Sequence, residues 1–189
     1  AVCNNVTVPS SNFASTPAGG TFGWTNSNTS IGLPSSGSGN ISTVTATNSG
    51  TTPATANITV TPTVNGCVGT PASYTITVNP SPTVNVPGNM AACHGSSVSV
   101  ASFSSPTAGT TYTWANNNTA IGLAASGTGN ILPFTANNPG AQAVTATITV
   151  TPEANSCIGT PSIFTITVNP LPVITFAPMP QLCHTSPPF

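Results

Sequence analysis

The side chains able to support covalent, acid–base or metal chemistry are few: five Cys, two His and one carboxylate, Glu153, with neither Lys nor Arg. That inventory removes most reaction classes before any fold is considered. Glycoside hydrolysis needs a pair of carboxylates, and Glu153 has no carboxylate partner. A Ser-His-Asp arrangement lacks its Asp, and Schiff-base chemistry lacks its Lys. Calcium sites draw on several carboxylates. The glycine-rich runs, such as Gly37-Ser38-Gly39-Asn40, lack the helix and Lys that follow a phosphate cradle. The chain therefore reads as a non-enzyme without a cofactor.

The cysteines are regularly placed. Cys3, Cys93 and Cys183 step by 90 residues, as do Cys67 and Cys157. Cys3 and Cys67 lie 64 apart (67 − 3), and so do Cys93 and Cys157 (157 − 93). Equal spacing predicts one bridge in each copy, Cys3–Cys67 and Cys93–Cys157. Closing a loop of that size stabilises a domain by about 4 kcal/mol in the chain-entropy model. Persistent bridges imply an oxidising, extracellular setting. The competing chemistry is metal ligation, since Cys93-His94 and Cys183-His184 are neighbours. Zinc needs four clustered ligands, and the first copy has Asn4 in place of the His, so no metal site is expected. Cys183 is left over, either unpaired or bonded to another subunit.

Charged residues make up 1% of the chain, and net charge is −1. With no cation to neutralise phosphates, nucleic-acid binding loses its main attractive term, and docking on anionic lipid fails likewise. No apolar run approaches the ~20 residues that span a bilayer. Mean hydropathy is +0.20, and Val, Ile and Thr recur in alternation, which is a folded β profile rather than a disordered one. The chain opens at Ala1 without a basic start or apolar signal core, and reads as a mature or excised segment. An almost uncharged surface of hydroxyls and amides offers little colloidal repulsion. Either self-association is the function, or attached glycans hydrate the surface, and the two are compatible. Sequons stand at Asn5, Asn28, Asn40, Asn57 and Asn117.

The elements that position these residues are repeated. Trp24 and Trp114 are 90 apart (114 − 24), and Ile31-Gly32-Leu33 recurs as Ile121-Gly122-Leu123. Thr75-Ile76-Thr77-Val78-Asn79-Pro80 recurs intact as Thr165-Ile166-Thr167-Val168-Asn169-Pro170. Such register without an insertion indicates tandem duplication. Tyr74, Ile76 and Val78 alternate with polar residues, as do Ile58 and Val60, so each is a strand with one apolar face. Further strands are predicted over 21–25, 41–47 and 5–8. Short strands around one central Trp predict an immunoglobulin-like sandwich, with Trp24 and Trp114 as core aromatics.

The runs TFGWTNSNTSIGLPSSGSGNI and TYTWANNNTAIGLAASGTGNI, each followed by an ITVTP…C(V/I)GTP…TITVNP pattern, resemble the PKD-like repeats of very large bacterial surface proteins. The Trp-Asp-Phe-Gly-Asp-Gly stretch of better-known PKD domains is absent, so the resemblance is to the PKD-like subgroup. It implies stalks of secreted adhesins and motility-associated proteins, and no enzymatic activity. The expected fold is all-β: two tandem immunoglobulin-like (PKD-like) β-sandwich domains in a linear array, residues 1–80 and 81–170. Residues 171–189 then hold the leading strand of a third repeat.

By register Ala1 corresponds to Ala91, so the first domain lacks the leading strand that residues 81–90 supply to the second. The matching segment after Pro170 has no domain of its own to complete. The expectation is head-to-tail assembly of copies, with residues about 171–183 filling the open edge of the next first domain, or the same strand supplied covalently in a longer chain. The predicted function is a structural subunit or stalk segment of an extracellular bacterial fibre, probed against two alternatives. A carbohydrate-binding accessory module would need an exposed aromatic platform. A surface-adhesive or ice-binding sheet would use the Thr59/Thr61 and Thr75/Thr77 rows.

Overall fold

The computed structural model describes residues 1–178. They form two β-sandwiches in series. The first contains β1 (Val2–Cys3), β2 (Thr7–Val8), β3 (Thr21–Asn26), β4 (Ser36–Ser38), β5 (Val44–Thr45), β6 (Ala54–Val64), β7 (Cys67–Val68) and β8 (Ala72–Asn79). The second contains β9 (Met90–Cys93), β10 (Ser97–Val98), β11 (Thr111–Asn116), β12 (Ser126–Thr128), β13 (Phe134–Thr135), β14 (Val144–Ala154), β15 (Cys157–Ile158) and β16 (Ser162–Asn169). The main sheets run β1-β8-β6-β3-β4 and β9-β16-β14-β11-β12, faced by the small sheets β2-β5 and β10-β13. In each main sheet the first strand joins the last in parallel, Val2 opposite Val78 and Ala92 opposite Val168.

Period-2 patterning builds the core. Ala56, Ile58 and Val60 of β6 are buried with Val78 of β8, and Ala146, Ile148 and Val150 with Val168 repeat the arrangement. The outward hydroxyls pair across the strands: Thr55 with Thr77 at 3.0 Å and Thr59 with Ser73 at 2.9 Å. Thr59 and Thr77 of the threonine rows thus belong to cross-strand hydrogen-bonded pairs of an antiparallel sheet. Trp24 and Trp114 are buried in the two cores. Each indole lies across a glycine of the next strand, Gly37 or Gly127, where a Cβ would fall on the ring.

Amides hold the loops. Buried Asn48 donates to the carbonyls of Val78 (2.7 Å) and Thr52 (2.9 Å) and accepts from the Gly50 amide, and Asn138 repeats this around Val168. Asn26 and Asn116 fasten the turn after the Trp strand through the carbonyls of Leu33 and Leu123.

Three expected strands are shorter or less regular than read. The 41–47 strand contracts to β5, with Ile41 held by a bridge to Ser11. The 5–8 strand contracts to β2, because Asn5 turns through the left-handed region at φ 64°. Residues 81–89 run extended on the second sandwich but pair only through the Asn85–Ser104 bridge before β9 begins. Pro82 and Pro87 have no N–H to give a ladder.

Candidate functional site

An open groove of about 730 Å³ lies on the first sandwich. Phe13, Phe22, Pro62, Val64 and Tyr74 line it, with Ala14, Ala72, Gly69 and Cys67 around them. Phe13 and Phe22 touch with ring centroids 5.7 Å apart. Apolar side chains are only half-buried here, which is unusual for residues at core-periodic positions.

The second sandwich explains the groove, because there residues 81–89 lie over the corresponding surface. The Asn85 amide donates to Ser104 O at 2.7 Å, and Ser162 Oγ donates to Val84 O at 3.3 Å. The Thr165 amide donates to Asn89 Oδ1 at 2.9 Å. A Cβ on Gly159 would land on the Pro82 carbonyl. Ninety residues earlier, these partners are Ala14, Ala72, Thr75 and Gly69. Val84 is 6% exposed and joins the core. Under this cover Phe103, Phe164 and Pro152 are buried, whereas their counterparts Phe13, Tyr74 and Pro62 are half-buried.

Residues 171–178 correspond by register to 81–88. Their apolar side chains stand in solvent: Ile174 is 80% and Phe176 89% exposed, at the positions of Val84 and Val86. Leu171 and Val173 are exposed beside them.

The disulfide pairing differs from the expected one. Cys3 is bonded to Cys157, linking the two sandwiches with Cα atoms 5.6 Å apart, while Cys67 and Cys93 are exposed free thiols. The intradomain bridges Cys3–Cys67 and Cys93–Cys157 are therefore not formed, and strand length is the reason. Cys3 lies beside Asn79, at the end of β6 marked by Ala54, and Cys67 pairs with Val64 at the other end. An eleven-residue strand puts about 33 Å between those ends, and a disulfide tolerates about 7 Å between Cα atoms. β14 separates Cys93 from Cys157 in the same way. Asn79 Nδ2 also crosses the junction, donating to Asn155 O at 3.2 Å. The signal that could have revealed this pairing was the placement of the two cysteines at opposite ends of the longest strand. Cys183 and His184 lie outside the described residues, as does the rest of the expected leading strand beyond residue 178.

The remaining candidates have local roles. His94 Nδ1 accepts the Asn138 amide proton at 3.0 Å, the part Asn4 Oδ1 plays for Asn48 at 2.8 Å. Among the described residues no three His, Cys, Asp or Glu side chains cluster as a metal site. Of the sequons, Asn5, Asn40, Asn57 and Asn117 are exposed and Asn28 is half-buried. Asn28 Oδ1 caps the turn at Ser30, Asn40 Oδ1 holds the Phe13 amide, and Asn117 Oδ1 holds the Thr147 amide. The described aromatics are buried or half-buried apart from Phe176, so none forms an exposed platform with another. No helix among the described residues is long and apolar enough to cross a membrane.

Comparison with curated protein sequences finds no match. Among solved structures, the chain is similar to the crystal structure of DIP-gamma IG1+IG2, with 8% identity, TM-score 0.46, and coverage of 89% of this chain and 93% of that one. It is similar to the N-terminal Ig1-2 module of the Drosophila receptor protein tyrosine phosphatase DLAR, with 13% identity, TM-score 0.32, and coverage of 89% and 93%. Protocadherin Gamma B2 extracellular cadherin domains 1-5 match with 13% identity and TM-score 0.35 over 82% of this chain, which spans 34% of that one. Residues 1–82 and 90–172 each match the PKD-like domain. Tandem domains of this type are extracellular-type structural or interaction modules and are typically non-catalytic. The chain therefore belongs to the PKD-like domain family, with two copies in series.

Proposed function

We propose that the chain is a structural unit of an extracellular fibre, assembled head to tail by strand complementation. Residues 171–178 of one copy fill the groove on the first sandwich of the next. The observation that carries this reading is the paired change between the two grooves and the two segments. Where the second sandwich has Ser104 and Ser162, the first has Ala14 and Ala72. Where the covering segment has Thr83, Val84 and Val86, the later one has Val173, Ile174 and Phe176. A more apolar segment thus stands ready for a more apolar groove. Gly69 keeps the free space that Gly159 needs for the Pro82 carbonyl. A contact that joins different surfaces of identical copies does not close on itself, and it propagates into a filament. Glycans at the exposed Asn5 and Asn57 fit this reading, because they would hydrate a nearly uncharged fibre.

Electron cryo-microscopy of the concentrated, purified chain tests the proposal, with Gly69→Val as the control. In the free chain a Cβ at Gly69 meets the Pro62 ring, at 3.0 Å from Cγ, and the Pro62 carbonyl oxygen at 3.5 Å, and circular dichroism of the variant checks that it keeps the β fold. The expected result is filaments with residues 171–178 in the neighbour's groove, lost in Gly69→Val. A monodisperse monomer at all concentrations, or a groove filled by some other segment, would sink the reading.

A further inference from the structure

Among the described residues, the two free thiols, Cys67 and Cys93, occupy the two halves of a junction that the chain closes once internally. Within the chain, the first-copy Cys3 at the downstream end of one sandwich meets Cys157 at the upstream end of the next. Shifting this pair by one repeat gives Cys93 as the downstream half and Cys67 as the upstream half. Cys93 sits beside Asn169 as Cys3 sits beside Asn79. Cys67 follows a turn in which Asn65 has φ 51° and Gly66 φ 79°, against φ 51° at Asn155 and 61° at Ser156. The receiving turn therefore already has its bonded shape, and Cys67 lies on the rim of the groove.

We infer that Cys93 of one copy and Cys67 of the next form an intermolecular disulfide, so that the fibre is covalently continuous. This rests on the head-to-tail reading above. Each bond forms as two thiols lose their protons and two electrons to a small-molecule disulfide. The oxidant's own S–S bond breaks, and it leaves as two thiols. Asn169 of the first copy would donate to the Asn65 carbonyl of the second, repeating the Asn79–Asn155 contact.

The test uses the full chain incubated with glutathione disulfide, then denaturing electrophoresis without reductant and mass spectrometry of disulfide-linked peptides. The expected result is a ladder of multimers with a Cys67–Cys93 peptide. Cys67→Ser and Cys93→Ser should each lose every species above monomer on the gel, while filaments remain visible by microscopy. Cys183→Ser should keep the ladder. Filaments whose Cys67 and Cys93 stay alkylatable, or a bridge from Cys67 to Cys183, would overturn the disulfide and leave the assembly standing. Absence of filaments in every variant would overturn the assembly and the bridge with it.

Discussion

Glycine under the indole is the residue-level choice that the core depends on. Gly127→Ala puts a methyl group into the Trp114 ring, and overpacking of this kind costs roughly 1–3 kcal/mol. Thermal unfolding should report a lower Tm for the second sandwich and an unchanged first one. His94 offers a cleaner contrast. Its acceptor role is performed by Asn4 in the other copy, so His94→Asn should leave stability unchanged. His94→Ala, which leaves the backbone amide of buried Asn138 without that acceptor, should cost about 1 kcal/mol by denaturant titration. Trp24 and Trp114 could be read as core from type and register. Gly37 and Gly127 could not, because a glycine in a loop-like run carries no mark of the side chain lying over it.

At the scale of elements, the segment that lies over the groove should govern stability. The second sandwich has Val84 buried in its core, whereas the first leaves Phe13 and Tyr74 half-exposed. Calorimetry of the isolated chain should resolve two transitions, with the first sandwich melting lower. A peptide of residues 171–178 should raise that lower transition alone, since a ligand that binds only the folded state stabilises it by mass action. An unmoved lower transition at saturating peptide would count against the groove as its site. β8 and β16 were readable from the alternation of Tyr74, Ile76 and Val78 and of their counterparts. The disulfide partner was not, for a reason built into repetition. Every 64-residue spacing in a 90-residue repeat comes with one of 154 residues, the separation actually bonded. Only the length of β6 decides between them.

For the whole molecule, the junction matters more than either sandwich. A loop of 154 residues closed by Cys3–Cys157 constrains the unfolded chain by about 5 kcal/mol in the entropy model. Cys157→Ser should leave the β circular dichroism of both sandwiches intact while small-angle scattering shows a broader spread of interdomain distances. An unchanged distance distribution would mean that buried Pro80 and Pro82 and the Asn79–Asn155 contact suffice. The backbone crosses the junction once and the disulfide crosses it again at a separate point. A joint with a single pin can swivel, whereas one with two cannot, so rotation of one sandwich about the long axis must carry the next with it. A string of such joints transmits torque along its length, behaving as a shaft rather than a rope.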